Sequence, residues 1–235
     1  MLVVFPTLVK TTFIERPNRF ILLVKREDTG EQIEAHLPDP GRLKELLVEQ
    51  ATIWVEYVDK SSRKTSWTAI LCETKEGNLV SLQTTIANKL AETAIREKRI
   101  PSLRKWSIEK RECKVGSSRF DFLLKNNQGK KRLLEVKSVT LSRTGEGFFP
   151  DAPTARGARH VQELTKLTEQ GRYEAAILFV AQRNDIRSVA VEAIIDPAFA
   201  QSIMEANQAN VQIVAVSTNL SKDKIAIGQE IPFLI

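Results

Sequence analysis

Ser118-Arg119-Phe120-Asp121-Phe122-Leu123-Leu124, then a turn at Asn126-Asn127-Gln128-Gly129, then Lys131-Arg132-Leu133-Leu134-Glu135-Val136-Lys137-Ser138-Val139: the reading of the whole chain turns on this stretch. Both halves are apolar and bounded by turn residues, so they predict the two strands of a hairpin. Each carries charge where a buried strand has no use for it. Asp121 lies between two phenylalanines, and Glu135 and Lys137 flank Val136.

Strand side chains alternate faces, so Glu135 and Lys137 share one face while Leu134, Val136 and Ser138 share the other. Pairing of the two strands brings Asp121 beside Glu135. Two adjacent carboxylates repel, and burying them alone costs several kcal/mol or shifts a pKa. A divalent cation together with the Lys137 ammonium relieves that. Hard carboxylate oxygens suit Mg²⁺ or Mn²⁺, which keep waters that a phosphate displaces. The lysine then steadies an attacking water or a developing phosphate charge.

This arrangement resembles the PD-(D/E)xK nuclease superfamily, with Asp121 and Glu135-Val136-Lys137 in the matching places. Glu-x-Lys also occurs at Glu73-Thr74-Lys75 and Glu112-Cys113-Lys114. Only the third copy has an upstream Asp on its own strand and apolar residues on both sides. The pattern by itself also fits a solvated strand face of alternating charge.

Upstream, six strand candidates follow at short spacing: Thr7 to Ile14, Phe20 to Lys25, Glu31 to Leu37, Thr52 to Val58, Ser66 to Glu73 and Leu79 to Gln83. Turn signals separate them, among them Asp28-Thr29-Gly30, Lys60-Ser61-Ser62 and Glu76-Gly77-Asn78. Such spacing predicts a small barrel. A short helix is expected over Gly41 to Leu47. Two polar clusters interrupt the strands, Arg16-Pro17-Asn18-Arg19 and His36-Leu37-Pro38-Asp39-Pro40-Gly41-Arg42. Backbone N–H groups at Gly41 and the Arg42 fork suit a phosphate; a proline-stiffened loop with solvated arginines is the plain alternative.

From Thr84 the period changes. Ile86 to Arg96 predicts a helix with Ile86, Leu90, Ala91, Ala94 and Ile95 on its core stripe, ended before Pro101. A strand over Trp106 to Val115 leads into the hairpin. Beyond the hairpin, Arg143 to Thr154 reads as a Gly/Pro loop suited to a gate. Ala155 to Gly171 reads as a helix burying Ala158, Val161, Leu164 and Leu167, with Arg156, Arg159, His160 and Glu163 on other faces. Arg156 and His160, at i and i+4, then project together toward a phosphodiester or toward solvent. Strands over Ala175 to Gln182, Ser188 to Ile195 and Val211 to Ser217, a short edge over Lys224 to Ile227, and a helix over Pro197 to Asn207 capped by Asp196 complete an α/β pattern with helices on both faces.

Among 235 residues, 35 Lys and Arg against 29 Asp and Glu give a net charge of +6, which favours polyanionic partners. Two distant cysteines, Cys72 and Cys113, have no metal spacing and fit a reducing compartment. Neither a membrane-spanning apolar run nor a signal-peptide pattern is expected, so the chain reads as cytoplasmic with no membrane partner.

Taken together, Arg16-Pro17-Asn18-Arg19-Phe20, the His36 to Arg42 block, Ser118-Arg119-Phe120-Asp121, Leu134-Glu135-Val136-Lys137-Ser138-Val139 and the run from Phe149 to His160 resemble the SfsA family, the sugar fermentation stimulation proteins. The resemblance implies an OB-like nucleic-acid-binding β-barrel over residues 1–84. It implies a PD-(D/E)xK nuclease-like α/β domain with a mixed central sheet over 85–235. It carries over Asp121, Glu135 and Lys137 as catalytic residues, with Glu92 as one more acid and metal ligand beside Asp121 and Glu135. Arg16, Asn18, Arg19, His36, Arg42, Arg156, Arg159 and His160 are the nucleic-acid-binding candidates. Two functions remain open: a Mg²⁺- or Mn²⁺-dependent nuclease, or a non-catalytic DNA-binding regulator of sugar-utilisation genes. DNA is the expected partner, with RNA and a homodimer left open.

Overall fold

The computed structural model describes residues 2–59 and 64–235; the turn signal at Lys60-Ser61-Ser62 lies outside them. In chain order, β1 is Val3–Val4, β2 Leu8–Asn18, β3 Ile21–Arg26, β4 Gln32–His36, β5 Thr52–Tyr57, β6 Trp67–Glu73 and β7 Leu79–Ser81. Helix α1 is Ile86–Arg96, and a single 3₁₀ turn covers Pro101–Leu103. Then come β8 Trp106–Val115, β9 Ser118–Asn126, β10 Lys131–Val139, β11 Leu141–Arg143, β12 Glu146–Phe149 and α2 Ala155–Glu169. The chain ends with β13 Glu174–Ala181, β14 Ser188–Val191, α3 Pro197–Gln208, β15 Gln212–Leu220, β16 Lys224–Ile231 and β17 Phe233–Leu234.

The first sheet runs β4-β3-β2-β5-β6-β7, and a parallel β4–β6 pairing closes β2 to β6 into a five-stranded barrel. Closure leaves these five strands without an open edge. Their alternating side chains fill the interior with Leu22, Val24, Ala35, Ile53, Val55 and Ala69, each fully buried. The expected helix over Gly41 to Leu47 does not form: this segment is a turn, with Leu43 at φ 50°. Pro38 and Pro40 set an extended entry, and a left-handed residue breaks a helix before it can propagate.

The second sheet is mixed, in the order β1-β16-β15-β13-β10-β9-β8. Its centre is parallel, β10 on β13 and β13 on β15, and its flanks are antiparallel. One face packs α1 through Ile86, Leu90, Ala94 and Ile95 against Leu134, Val136 and Leu178. The other packs α2 and α3 through Val161, Leu164, Phe199 and Ile203 against Leu133, Ile177 and Phe179. Helices thus cover both faces, as parallel strands require.

Two expectations change here. The stretch from Arg143 to Thr154 is not one loop: β11 and β12 form a hairpin about Thr144 and Gly145, and β12 continues into a four-stranded sheet, β11-β12-β14-β17. β16 is no edge, because β1 pairs outside it. β1 reaches across the junction: residues 3 and 4 join the larger sheet, and Phe5 packs in the core around α1.

A relay of caps fixes α2 and α3 together. Asp196 Oδ1 accepts from Phe199 N at 2.9 Å, capping α3, and its Oδ2 accepts from Thr154 N at 2.7 Å. Thr154 Oγ1 in turn accepts from Gly157 N at 3.1 Å, capping α2. Buried Asp196 therefore serves both helix starts. Asp196→Ala is expected to lower unfolding stability by about 2 kcal/mol, and Asp196→Asn by about half of that, in urea titrations. An Asp196→Asn variant as stable as the parent would show that Thr154 does not depend on Asp196.

Candidate active site

β9 and β10 pair from Lys131↔Lys125 as far as Leu134↔Phe122 and then part. The Asn126 side chain starts this hairpin by accepting from Gln128 N and Lys130 N at 3.0 Å each. Past Leu134 the next N–H of β10 toward β9 needs another acceptor. Asp121 Oδ2 supplies it, accepting from Val136 N at 2.7 Å, and Asp121 Oδ1 accepts from Asn88 Nδ2 of α1 at 2.7 Å. The charge-bearing ends of both strands thus lie where the sheet splits, at the carboxyl end of the parallel pair β10–β13.

Glu135 is 5% exposed. Its Oε1 accepts from Lys137 Nζ at 2.7 Å and meets His160 Nδ1 at 2.8 Å, while its buried Oε2 has no hydrogen-bond partner. Burial opposes ionisation of Glu135, but the His160 bond and the Lys137 ammonium outweigh it and hold the carboxyl below its ordinary range. Asp121 shifts the other way. Burial, and then the negative charge of Glu135, push its carboxyl up to about 6. One carboxylate of the pair is kept charged and its neighbour is strained by that charge.

His160 is buried on the inward side of α2, edge-on to Phe120 with ring centroids 5.9 Å apart. This corrects the expectation that it projects with Arg156: Gly157, His160, Val161 and Leu164 share one face, and Arg156 and Arg159 are exposed on others. Helical spacing contained that signal, because positions three and four apart from Gly157 and Leu164 include residue 160. Asn88 was not foreseen. It lies one turn before Glu92 on α1, and Glu92 ion-pairs with Arg96 and Arg111 at 2.9 Å each, while Asn88 contacts Asp121. The pattern placed both residues on one face, and only the packing of α1 decides which of them reaches the strands.

The other Glu-x-Lys copies sit elsewhere. Glu73 accepts from Trp54 Nε1 and pairs with Lys222, and exposed Glu112 pairs with Arg119.

Lys137, Asn88 and Val136 border a cleft of about 740 Å³ between barrel and α/β domain, and Arg19 and Arg156 border it as well. Its barrel-side wall is knitted by the two polar clusters. Arg16 donates from Nη1 to the carbonyls of Gly41 and Arg42, and from Nη2 to the carbonyl of Arg19, at 2.8–2.9 Å. Gly41 N donates to Asp39 Oδ1 at 2.7 Å, and Arg42 N donates across the cleft to Asp151 Oδ2 at 2.9 Å. The N–H groups expected to meet a phosphate are therefore taken by carboxylates. Gly41 is required here, since a Cβ would lie 2.2 Å from Asp151 Oδ2. Burial pushes buried Asp39 up to about 6. Asn18 Oδ1 accepts from Phe20 N within the β2–β3 turn, and His36 ends β4 opposite Ile21.

The donor set fits a divalent cation on one observation: a buried, unpartnered carboxylate oxygen of Glu135 next to a second carboxylate whose ionisation its charge opposes. Both are hard oxygens. Among the described residues no group of three or more His, Cys, Asp or Glu side chains converges as a metal site, so an ion held here would complete its shell with waters or other oxygens.

Asp121 binds its extra proton in the folded chain up to about pH 6, against the ordinary 3.8. Stability is thus lost as the pH rises from about 4 through 6. Asp121→Asn removes that loss. It is expected to be more stable than the parent by on the order of 2 kcal/mol at about pH 8, with the difference vanishing near pH 4. Urea titrations of both proteins across this range read it directly, and a pH-independent difference would contradict the coupling to Glu135.

Two family profiles cover most of the sequence. "SfsA N-terminal OB domain" matches residues 14–82, and "Sugar fermentation stimulation protein RE domain" matches residues 85–224. A sugar fermentation stimulation protein homolog from Shouchella clausii is 54% identical over 230 residues, covering 98% of this chain and 99% of the relative. Another, from Acetivibrio thermocellus, is 41% identical over 231 residues and 97% of each chain. Among solved structures, Pyrococcus furiosus SfsA in complex with Ca²⁺ superposes with a TM-score of 0.88 at 28% identity, over 99% of this chain and 98% of the other.

Proposed function

The chain belongs to the SfsA family of sugar fermentation stimulation proteins, and for this member we propose a divalent-metal-dependent nuclease acting on DNA. The observation that carries this reading is the state of Glu135, buried and ionised with one oxygen anchored and the other unpartnered, beside Asp121. Glu135 and Asp121 are the ligands. The Pyrococcus furiosus relative in complex with Ca²⁺ supports divalent-cation binding as a property of such a chain. Mg²⁺ or Mn²⁺ is the proposed working ion, and it would supply Lewis-acid stabilisation of charge on the phosphoryl oxygens.

The remaining roles belong to the chain itself. Lys137 borders the cleft and, from its seat on Glu135, orients an attacking water and meets negative charge building on the phosphate. Asn88 holds the Asp121 carboxylate by one oxygen while the Val136 N–H holds the other. Exposed Arg19 and Arg156 on the cleft rim contact backbone phosphates, with exposed Arg42 and Arg159 further out. Arg16, whose guanidinium is committed to three carbonyls, frames this surface. Both cysteines are free and buried, which agrees with a reducing cytoplasm, and no helix among the described residues is long and apolar enough to cross a membrane.

A second reading, a DNA-binding regulator without catalysis, draws on the site's incompleteness. Glu92, the expected third acid, is spent on Arg96 and Arg111.

Incubating single- and double-stranded DNA with the purified protein and Mg²⁺ or Mn²⁺ separates the two. The nuclease reading expects products that disappear with EDTA. It also expects Lys137→Ala and Glu135→Gln to lose at least about 100-fold in rate while still binding DNA. Salt-sensitive binding without any cleavage would select the regulator. In thermal melts, Mn²⁺ is expected to stabilise the parent and not Glu135→Gln; equal stabilisation of both would move the ion elsewhere.

A further inference from the structure

The β2–β3 turn carries, as sequence neighbours, a cation that borders the cleft and an exposed aromatic ring. Arg19 borders the cleft shared by Lys137 and Arg156. Phe20, the next residue, is 51% exposed. The turn carrying them is fixed at three points: Phe20 N donates to Asn18 Oδ1 at 2.9 Å, Leu37 N donates to Phe20 O at 2.7 Å, and Arg16 Nη2 donates to Arg19 O at 2.8 Å. A ring held out of the core on a turn with a fixed backbone is available to a ligand at a reduced ordering cost.

Single exposed apolar residues are common and carry no message by themselves. Phe20 differs by what surrounds it. Among the described residues only two aromatic rings are widely exposed, and the other, Tyr57, packs edge-on to Trp67 at 5.1 Å. Phe20 makes no ring contact of that kind. Its backbone is bonded to Leu37, at the head of the Pro38 to Gly41 segment whose Asp39, Pro40 and Gly41 wall the same cleft. An aromatic face next to a guanidinium, at the edge of a cleft lined by further cations, matches one nucleotide: a base for the ring and its phosphate for the arginine.

We infer that Phe20 is a base-stacking platform at the mouth of the cleft, and that the chain takes single-stranded DNA there. This rests on the proposal that the cleft binds DNA. In a duplex each base face is covered by its neighbours, and only an unpaired base can lie on the ring. Phe20 thus selects unpaired strands, or the unpaired part of a partly duplex substrate, while Arg19 holds the backbone without regard to base identity.

The test is equilibrium binding in EDTA, where cleavage plays no part, with a 20-nucleotide oligo(dT), a duplex of the same length and an oligo(rU) as probes. Tighter binding of oligo(dT) than of duplex is expected. Phe20→Ala should weaken oligo(dT) binding about tenfold or more, leave duplex binding within about twofold and leave the salt slope unchanged, since stacking releases no counterions. Arg19→Ala should weaken both and flatten the slope. Phe20→Leu, which keeps an apolar side chain without a ring, should behave as Phe20→Ala. Phe20→Trp should keep the affinity and add indole fluorescence that oligo(dT) quenches. Equal effects of Phe20→Ala on single strand and duplex, or none on either, would overturn the inference while leaving DNA binding and cleavage in place. A tighter Phe20-dependent complex with oligo(rU) would overturn DNA as the ligand. Loss of all nucleic-acid binding in the parent protein would remove the inference and the reading beneath it together.

Discussion

A carboxylate that is both buried and charged must be compensated by its surroundings, and Glu135 shows how much of this fold is arranged to do so. Desolvation alone would protonate it. Lys137, two residues along the same face of β10, and His160, from the helix layer on that side, together reverse the outcome. Both bind the same oxygen, so compensation leaves the other one available. The arrangement depends on α2 lying at the right height over the sheet. That height is set by Thr154 and Asp196 at its start and by Val161, Leu164 and Phe120 beneath it. Phe120 also packs against the imidazole, which ties the ring's orientation to the strand that carries Asp121.

The barrel and the α/β domain share structure, so the cleft between them has fixed walls. Ile70, Leu71 and Leu79 of the barrel sheet pack in the same core as α1, and β1 crosses to pair with β16. Ser81 N donates to the carbonyl of Gln182, and Leu79 N to the Asn184 side chain. Near the site, the Arg42 N–H to Asp151 bond closes the frame at its other end. A frame of this kind preorganises polar groups that otherwise would have to be ordered on binding.

The central hairpin was legible because its pattern and its turn agree: two apolar runs on either side of an Asn-rich turn with Gly129 at positive φ. The barrel strands and α1 were legible for the same reason. Residues 143 to 149 were misread because Gly145 and Gly147 look like loop residues, yet Gly147 lies inside β12 where Ile186 and Val139 leave no room for a Cβ. Two features of the site are set by tertiary packing. Nothing local distinguishes Asn88 from Glu92 as the group that meets Asp121. The fate of Gly41 and Arg42 was set by Asp151, which is 109 residues away in sequence.

Tertiary placement also decides what the net charge means for binding. An excess of six positive charges says nothing about which guanidiniums face a ligand. Arg132, buried over Trp106 and bonded to Glu174 and Gln212, serves the sheet. Arg183, held by Asp185 and the Thr140 carbonyl, serves the junction of the sheets, and Arg16 serves the barrel wall. Burial lowers the pKa of Arg16 and Arg132, a measure of how far each has left water. Remove these from the count, and exposed Arg19 and Arg156 beside Lys137 remain as the cations gathered at the cleft. Distribution, more than total, therefore points an anionic strand toward the paired carboxylates instead of across the open face of the barrel.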